Sequence, residues 1–321
     1  MSVIRTILGD IDASEAGVVD SHEHLIRIGG GEVIKEGEDY RLPSVEAAAE
    51  ECERFIQYGG KTVVEMTPAS LGRDIVKMLE LNARVPNIHL IQTTGFQFSG
   101  VYDETCHWVM RYSVNQIADL LIAEIEEGID EHDYMGPIVK RSKAKAGCIK
   151  IGTSYGFITE FEEKAIQAAA IASIETGALL NTHTSRGTMA MEQVDRFLSF
   201  GVRPDRIMLG HVQKNPDPWY HKKLASRGVS FSYDGGYRVK YWPDSDRADL
   251  IKQLIAAGYQ KQITLATDSG KKSYLKAYGA GTGIDYDLSV FVPRLREEGV
   301  SEEAIEDMLV NNPARLFALE K

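Results

Sequence analysis

The sequence predicts a (β/α)8 barrel, in which eight parallel strands alternate with helices. Three observations support this: about eight short apolar runs, helical patterns between them, and a length of 321 residues. Runs this apolar are typical of strands covered on both faces, as in a parallel sheet. Single barrels of this class typically occupy about 250 residues and often more. We therefore expect one domain spanning residues 1–321.

The expected elements follow one another along most of the chain. The eight strands are expected at residues 17–20, 61–65, 88–93, 147–151, 178–182, 206–209, 229–233 and 262–266. Helices are expected at residues 45–58, 114–127, 161–176, 193–200, 248–257 and 301–310. Ser44 is a candidate N-cap for the first helix. An open doubly wound sheet is the alternative fold, but no GxGxxG motif follows the first strand to support its dinucleotide-binding form.

Composition and charge argue against several classes of protein. Hydrophobic residues make up 43% and charged residues 26%, which is typical of a globular domain. The formal net charge of -11 is opposite in sign to that of most nucleic-acid or anionic-membrane binders. No stretch reaches the ~18 apolar residues of a membrane span, and the N-terminus lacks the apolar core of a secretory signal. With three cysteines and no CxxC, we expect a cytoplasmic protein without a disulfide framework.

Side chains that can bind metals stand at the ends of several expected strands. Functional groups of such barrels collect at the carboxyl ends of the strands. His22 and His24 are two residues apart on one strand, so their side chains point the same way. His183, His211 and Asp268 follow later strands. The pattern predicts a metal centre, and unrelated strand-end residues are the alternative. The other four histidines, which we expect at the surface or in the core, are His89, His107, His132 and His221.

Lys150 lies between Ile149 and Ile151 on an expected core strand. A charged lysine is costly in such a place. One interpretation is a buried lysine paired with a carboxylate. The other is a carbamylated lysine, in which the neutral amine captures carbon dioxide and becomes an anion able to bridge two metal ions. Spacing alone leaves both interpretations open.

Taken together, these motifs resemble the metal signature of the amidohydrolase superfamily. The motifs are Asp20-Ser21-His22-Glu23-His24, Lys150, Thr182-His183-Thr184, Gly210-His211 and Thr267-Asp268. With Asn312-Pro313-Ala314-Arg315-Leu316-Phe317, their order and spacing resemble the phosphotriesterase family, which includes phosphotriesterase-like lactonases. The resemblance covers nearly the whole chain.

The resemblance implies a hydrolase with two divalent metal ions per chain. It implies that His22, His24 and Asp268 bind the more buried ion and that His183 and His211 bind the more exposed one. Carboxylated Lys150 (N6-carboxylysine) and a hydroxide would bridge the two ions. Asp268 would also be catalytic, as the proton acceptor. Zinc is the expected metal, with manganese, iron or cobalt as alternatives, and a homodimer remains an open option.

One segment departs from the family pattern. Many lactonases of this family carry a tyrosine soon after the third strand, near the more exposed metal. Here Gln97 stands in that neighbourhood, within the segment 94–98. This departure argues against a long-chain acyl-homoserine lactone as the substrate.

The loops after the seventh and eighth strands, residues 234–241 and 269–279, contain five basic residues. These loops form the common phosphate site of such barrels, and basic and tyrosine side chains suit a phosphate dianion. The candidate substrate-binding residues are Arg238, Lys240, Lys271, Lys272, Tyr274 and Tyr278. Solvated loop charges are the alternative interpretation.

We expect a small anionic substrate, and some members of the resembled family hydrolyse phosphorylated sugar lactones. The expected reaction is therefore the hydrolysis of a phosphorylated aldono-1,4-lactone. A phosphotriesterase or an acyl-homoserine lactonase on the same metals is one alternative. A non-catalytic, metal-stabilised sugar-phosphate-binding protein is another.

Overall fold

Eight parallel strands form one sheet in the computed structural model, which describes residues 2–320. A short antiparallel hairpin, β1 (Val3–Thr6) and β2 (Gly9–Asp12), precedes this sheet. The barrel strands are β3 (Val18–Glu23), β4 (Gly60–Glu65), β5 (His89–Phe96), β6 (Ala146–Thr153), β7 (Leu179–Thr184), β8 (Ile207–Gly210), β9 (Ser230–Tyr233) and β10 (Ile263–Leu265). Each pairs in parallel with the next in chain order. Every expected strand is present, and the (β/α)8 prediction is confirmed.

Helices follow the barrel strands, as the alternation predicted. They are α1 (Gly31–Glu36), α2 (Val45–Gln57), α3 (Ile75–Arg84), α4 (Val114–Glu126), α5 (Glu160–Thr176), α6 (Ala190–Ser199), α7 (Pro218–Ala225), α8 (Asp244–Ala256), α9 (Val292–Glu297), α10 (Glu302–Glu306) and α11 (Asn312–Phe317). The Ser44 hydroxyl accepts from the Ala47 amide at 3.1 Å, which confirms the predicted N-cap of α2. None of the helices in residues 2–320 is long and apolar enough to cross a bilayer.

The helix expected at residues 301–310 continues further than the sequence indicated. A π-helical turn, Asp307–Asn311, joins α10 to α11. Pro313 lies just beyond this turn and has no amide hydrogen, so the regular hydrogen-bond ladder cannot continue through it. A local change to wider helical turns lets the chain keep its direction.

The barrel closes between its first and last strands. The Asp268 amide donates to the His22 carbonyl at 3.0 Å, immediately beyond the end of β10. Nearby, the Thr267 hydroxyl donates to Asp20 Oδ2 at 2.9 Å. Glu23 Oε1 lies 2.5 Å from the same hydroxyl and accepts from the Ser269 amide at 2.6 Å. Asp20 and Glu23 therefore fasten β3 to the end of β10, which brings His22 and Asp268 together.

An apolar layer fills the lower part of the barrel. It contains Val19, Ile91, Cys148 and Met208 from the strands, and Phe317 from α11. Cys148 and Lys150 are two residues apart on β6 and therefore point to the same face. Cys148 joins the apolar layer, whereas Lys150 lies one level higher and borders a cavity at the carboxyl end of the barrel. Successive inward-facing positions of β6 thus contribute first to the apolar layer and then to the polar cavity.

Candidate active site

The six side chains predicted to bind metal lie together at the carboxyl end of the barrel. His22 lies on β3, Lys150 on β6 and His183 on β7. His211 directly follows β8, and Asp268 lies three residues beyond β10. His22 and Lys150 are fully buried, and His24 is also buried. The ends of parallel strands meet at one edge of a barrel, so positions far apart in sequence converge here.

The distances between these side chains suit shared metal ligation. Lys150 Nζ is 3.4 Å from His22 Nε2. Asp268 Oδ1 is 3.9 Å from His22 Nε2 and 3.8 Å from His24 Nε2. His22, His211 and Asp268 each offer a ligand atom, and these atoms lie within 4.8 Å of one another. The His183 ring centroid lies 4.5 Å from that of His211. A cation at the centre of this group would contact several ligands at once.

The protonation states also suit cation binding. Burial, together with the adjacent Lys150, lowers the pKa of His22 well below its usual range. Burial and His211 do the same to the pKa of His183. Both rings are therefore neutral near pH 7, which is the form that binds metals. Within residues 2–320, Nδ1 of each ring is buried and has no hydrogen-bond partner. Neutral, buried imidazoles with an unsatisfied nitrogen fit a metal centre.

Other polar groups orient two of the imidazoles. His211 Nδ1 is 2.7 Å from Asp234 Oδ2, and the Gln213 amide donates to Asp234 Oδ1 at 3.0 Å. His24 Nδ1 is 2.9 Å from the Thr67 hydroxyl and 3.7 Å from Glu65 Oε1. In both histidines Nδ1 is held by these partners and Nε2 is available to bind a metal ion, an arrangement common in metal centres. The sequence analysis missed these supporting residues, because Asp234, Thr67 and Glu65 lie on or after other strands and no local pattern marks Gln213 beside His211.

Two of the predicted ligands have an unusual backbone conformation. His211 and Asp268 have φ angles of 65° and 52°, in the left-handed region that non-glycine residues rarely adopt. The His211 amide donates to Asp234 at 2.9 Å, and the Asp268 amide donates to His22 at 3.0 Å. Such strain persists only where surrounding contacts hold it, and it concentrates at functional sites. Here it turns both side chains into the cavity.

A cavity of about 530 Å³ opens above the predicted ligands. This volume suits a small-molecule ligand. His24, Lys150, His183, His211 and Asp268 line its floor, whereas His22 is fully buried. A second group on the wall, which we call the cation cluster, consists of Arg238, Lys240 and Lys271 around the Tyr274 ring. The cavity therefore combines a candidate metal floor with a basic wall.

The three cations of the cluster converge on Tyr274. Arg238, Lys240 and Lys271 lie 4.9, 5.6 and 5.7 Å from the centroid of its ring. Lys240 Nζ also donates to the Tyr274 hydroxyl at 2.8 Å. Three like charges repel one another, so an anion bound between them would be strongly stabilised.

The predicted substrate-binding residues differ in where they lie. Lys272 and Tyr278 are not among the described residues that line the cavity; Lys272 Nζ instead lies 3.9 Å from Glu38. Arg238 is buried, and its Nη1 donates to Asp268 Oδ2 at 3.0 Å. It therefore touches the metal floor as well as the cation cluster.

Among the residues of the cavity wall that were not predicted as site residues, three lie together. Arg27 and Glu32 form a buried ion pair, and Gln97 lies beside them. Glu32 is on α1, which begins within the run Gly29-Gly30-Gly31. That glycine run, between the first strand and the next expected helix, is a signal that could have indicated a close backbone approach.

Comparison with known proteins shows which family the chain belongs to. The sequence profile of the phosphotriesterase family matches residues 2–317. The chain belongs to the phosphotriesterase family. It is a hydrolase, as the motifs predicted.

Relatives within the phosphotriesterase family cover the chain almost completely. The chain is 44% identical over 325 residues to a phospho-furanose lactonase from Mycoplasmopsis synoviae (strain 53), covering 99% of this chain and 92% of that protein. It is similar to the structure of an amidohydrolase from Mycoplasma synoviae, with a TM-score of 0.97, 44% identity and coverage of 100% and 93%. It is also similar to that of a lactonase from Listeria monocytogenes, with a TM-score of 0.92, 31% identity and 100% coverage of both chains.

Proposed function

We propose that this protein is a binuclear metal-dependent lactonase that opens the ring of a phosphorylated aldono-1,4-lactone. The observation that carries the proposal is the pairing, within one cavity, of a His/Lys/Asp floor with the cation cluster on its wall. The floor suits hydrolysis at a carbonyl, and the wall suits a phosphate. The names of the relatives in Mycoplasmopsis synoviae and Listeria monocytogenes support the lactone.

Six side chains would hold the two metal ions, for which zinc is the expected identity. They are His22, His24, Lys150, His183, His211 and Asp268. Such ions, when bound, supply Lewis-acid polarisation of a carbonyl oxygen and acidification of water. The protein contributes neutral imidazoles, fixed orientations and a cavity that admits only a small substrate.

Lys150 would join this set as a carbamate. Burial lowers the pKa of Lys150 to about 8, so a substantial fraction of the amine is neutral near physiological pH. The neutral nitrogen forms a bond to the carbon of carbon dioxide and releases one proton, which leaves a carbamate anion. This change replaces a buried cation among imidazoles by an anionic ligand. It would remove the electrostatic conflict that Lys150 creates beside His22.

Asp268 would take up the proton released during attack on the lactone. Burial alone would raise the pKa of Asp268, but Arg238 and His211 hold it well below its usual range. The carboxylate is therefore ionised and able to accept a proton at neutral pH. It would then deliver that proton to the ring oxygen as the carbon–oxygen bond breaks.

The cation cluster would hold the phosphate of the substrate. Charge-assisted hydrogen bonds from lysine and arginine are the usual means of binding a phosphate dianion. The Tyr274 hydroxyl already accepts from Lys240 and can donate to a phosphate oxygen. A neutral substrate would leave these charges uncompensated, so the wall favours an anionic lactone.

The proposal is tested with metal-loaded protein and a panel of aldono-1,4-lactones, each with and without a 5-phosphate. We expect two metal ions per chain and turnover at least about tenfold more efficient for the phosphorylated member of a pair. Hydrolysis of paraoxon or a long-chain acyl-homoserine lactone in preference to every sugar lactone would overturn it. Metal binding without any turnover would favour a sugar-phosphate-binding protein instead.

A further inference from the structure

Helix α1 approaches two other loops unusually closely, and this approach places Glu32 in the cavity wall. A Cβ atom on Gly31 would lie 1.6 Å from the Val101 carbonyl oxygen. A Cβ atom on Gly30 would lie 2.5 Å from the Leu71 carbonyl carbon, and the φ angle of Gly30 is 90°. Only glycine permits both contacts. The backbone is therefore built so that Glu32, the next residue, reaches the site.

One oxygen of the Glu32 carboxylate binds Arg27. Arg27 Nη1 donates to Glu32 Oε2, and Arg27 is itself fixed by donation to the Gly270 carbonyl and, at 2.8 Å, to the Tyr40 carbonyl. Glu32 and Arg27 are both buried. Their pairing offsets the cost of burying each charge.

The other oxygen of Glu32 has unused capacity to accept hydrogen bonds. Among the described residues, Oε1 accepts from the Gln97 amide, whose Nε2 lies 3.5 Å away, at the outer limit of a hydrogen bond. Two hydrogen bonds hold Gln97 in place and keep it from moving closer to Glu32. Its side-chain oxygen accepts from the Phe98 amide at 3.2 Å, and its backbone amide donates to the Tyr102 hydroxyl at 3.1 Å. Glu32 Oε1 and the Gln97 amide therefore lie side by side in the cavity wall, and both can form a further hydrogen bond with a ligand.

Glu32 and Gln97 line the same cavity as the candidate metal floor and the cation cluster. On one side, the ring of Phe98, the residue after Gln97, stacks on His183 with 5.2 Å between the ring centroids. On the other side, Arg27, which binds Glu32, lies 5.3 Å from the centroid of the Tyr40 ring, and Lys271 Nζ lies 4.1 Å from the same ring. If a substrate reached from the metal floor to the cation cluster, its middle part would lie near Glu32 and Gln97.

We propose that Glu32 and Gln97 form a hydroxyl-recognition subsite, in which Glu32 Oε1 accepts a hydrogen bond from a ring hydroxyl of the substrate and the Gln97 amide donates to the same hydroxyl oxygen. The inference rests on the proposed function for the identity of the ring. It makes Glu32 a specificity-determining residue, which selects polyhydroxylated lactones over deoxy lactones of equal size.

The test measures binding rather than turnover. The probes are 1,4-anhydropentitol 5-phosphates, which keep the furanose ring and the phosphate but cannot be hydrolysed, and analogues lacking one ring hydroxyl. Isothermal titration calorimetry with the metal-loaded protein should show that loss of one ring hydroxyl weakens binding about 10- to 100-fold. In Glu32→Gln the amide oxygen must serve Arg27, so an NH2 group faces the cavity. Discrimination between the analogues should fall below about threefold.

Two further variants keep the test decisive. Gln97→Leu keeps its backbone bond to Tyr102 and should also lose most of the discrimination, even if Glu32→Gln folds poorly. Glu124→Gln is the matched control, because Glu124 forms a buried pair with Arg73 at 2.6 Å, and neither residue lines the cavity. That variant should bind all probes as the wild type does.

Two results would overturn the hydroxyl-recognition subsite. One is a wild-type protein that binds the deoxy analogues as tightly as the hydroxylated rings. The other is full discrimination in both Glu32→Gln and Gln97→Leu. Failure of the proposed function is a separate result, namely the absence of lactone turnover, and it leaves the binding comparison intact.

Discussion

Arg238 donates a hydrogen bond to Asp268 across 3.0 Å, and the same guanidinium lies 4.9 Å from the centroid of the Tyr274 ring. One side chain thus contacts both the proposed proton acceptor and the proposed phosphate site. Lys240 and Lys271 also line the cavity, but their charged ends contact aromatic rings and the Tyr274 hydroxyl. Removing Arg238 should therefore affect catalysis differently from removing Lys240 or Lys271.

Alanine variants of the basic residues should separate these roles. Lys240→Ala and Lys271→Ala should each lower kcat/KM about 10- to 150-fold for the phosphorylated lactone and leave the free lactone nearly unchanged. Arg238→Ala should impair both substrates, because Asp268 loses its partner. Lys272→Ala is the matched control and should change kcat/KM by less than about threefold, since Lys272 lies outside the lining. An unchanged preference for phosphorylated lactone in all of these variants would exclude the phosphate assignment.

Asp268→Asn should keep metal but lose most turnover. The amide oxygen can still coordinate, but it cannot accept a proton. General acid–base catalysis typically contributes about 100- to 10,000-fold, so kcat should fall within that range. Metal analysis of the same sample provides the internal control. A loss below about tenfold with full metal occupancy would assign the proton to another group.

Lys150→Ala should lower both metal content and activity. The variant would lack the proposed bridging ligand, so we expect activity to fall at least about 100-fold, with partial rescue by a short-chain acid or bicarbonate. Cys148→Ala is the matched control, because Cys148 is buried on the same strand and face but contributes to the apolar layer. Full metal occupancy and normal turnover in Lys150→Ala would contradict the proposed role.

Metal loading of the wild type should depend on pH through the same lysine. Burial lowers the pKa of Lys150 to about 8, and carbamate formation requires the neutral amine, which predominates above that pH. At constant dissolved carbon dioxide, the loading rate of metal-free protein should rise about tenfold per pH unit below pH 8 and level off above it. A rate that stays flat between pH 6 and 9 would argue against carbamylation.

The glycine before Glu32 should be intolerant of a side chain. Gly31→Ala places a methyl group against the Val101 carbonyl, so α1 must move. We expect a loss of about 1–3 kcal/mol in the free energy of unfolding, measured by denaturant titration, together with weaker discrimination of ring hydroxyls. Gly29→Ala is the matched control, because its Cβ would meet nothing within 4 Å. Equal stability of the two variants would show that the close approach is not needed.

The sequence by itself determined the strand order and the candidate ligands. Apolar β-branched runs and the helices between them are local patterns, and the strand-end ligands could be found from their positions relative to those runs: His22, His24, His183, His211 and Asp268. The role of Lys150 was implied only by the family resemblance. The hairpin β1–β2 was missed, because its stability depends on distant partners such as the Ile4–Ala318 bridge. The Gln97 departure was also visible in the sequence, but its meaning was not.

Only the tertiary structure decided which polar side chains act together. Arg238 joins Asp268, Asp234 orients His211, and Glu32 pairs with Arg27, although the residues of the first two pairs come from different loops. Lys272 and Tyr278 look equivalent to Lys271 and Tyr274 in sequence but lie outside the cavity lining. The physical reason is that periodicity records whether a residue is buried or exposed within its own element. Contacts between loops depend on how closely backbones approach, as at Gly31, and no local pattern encodes that distance.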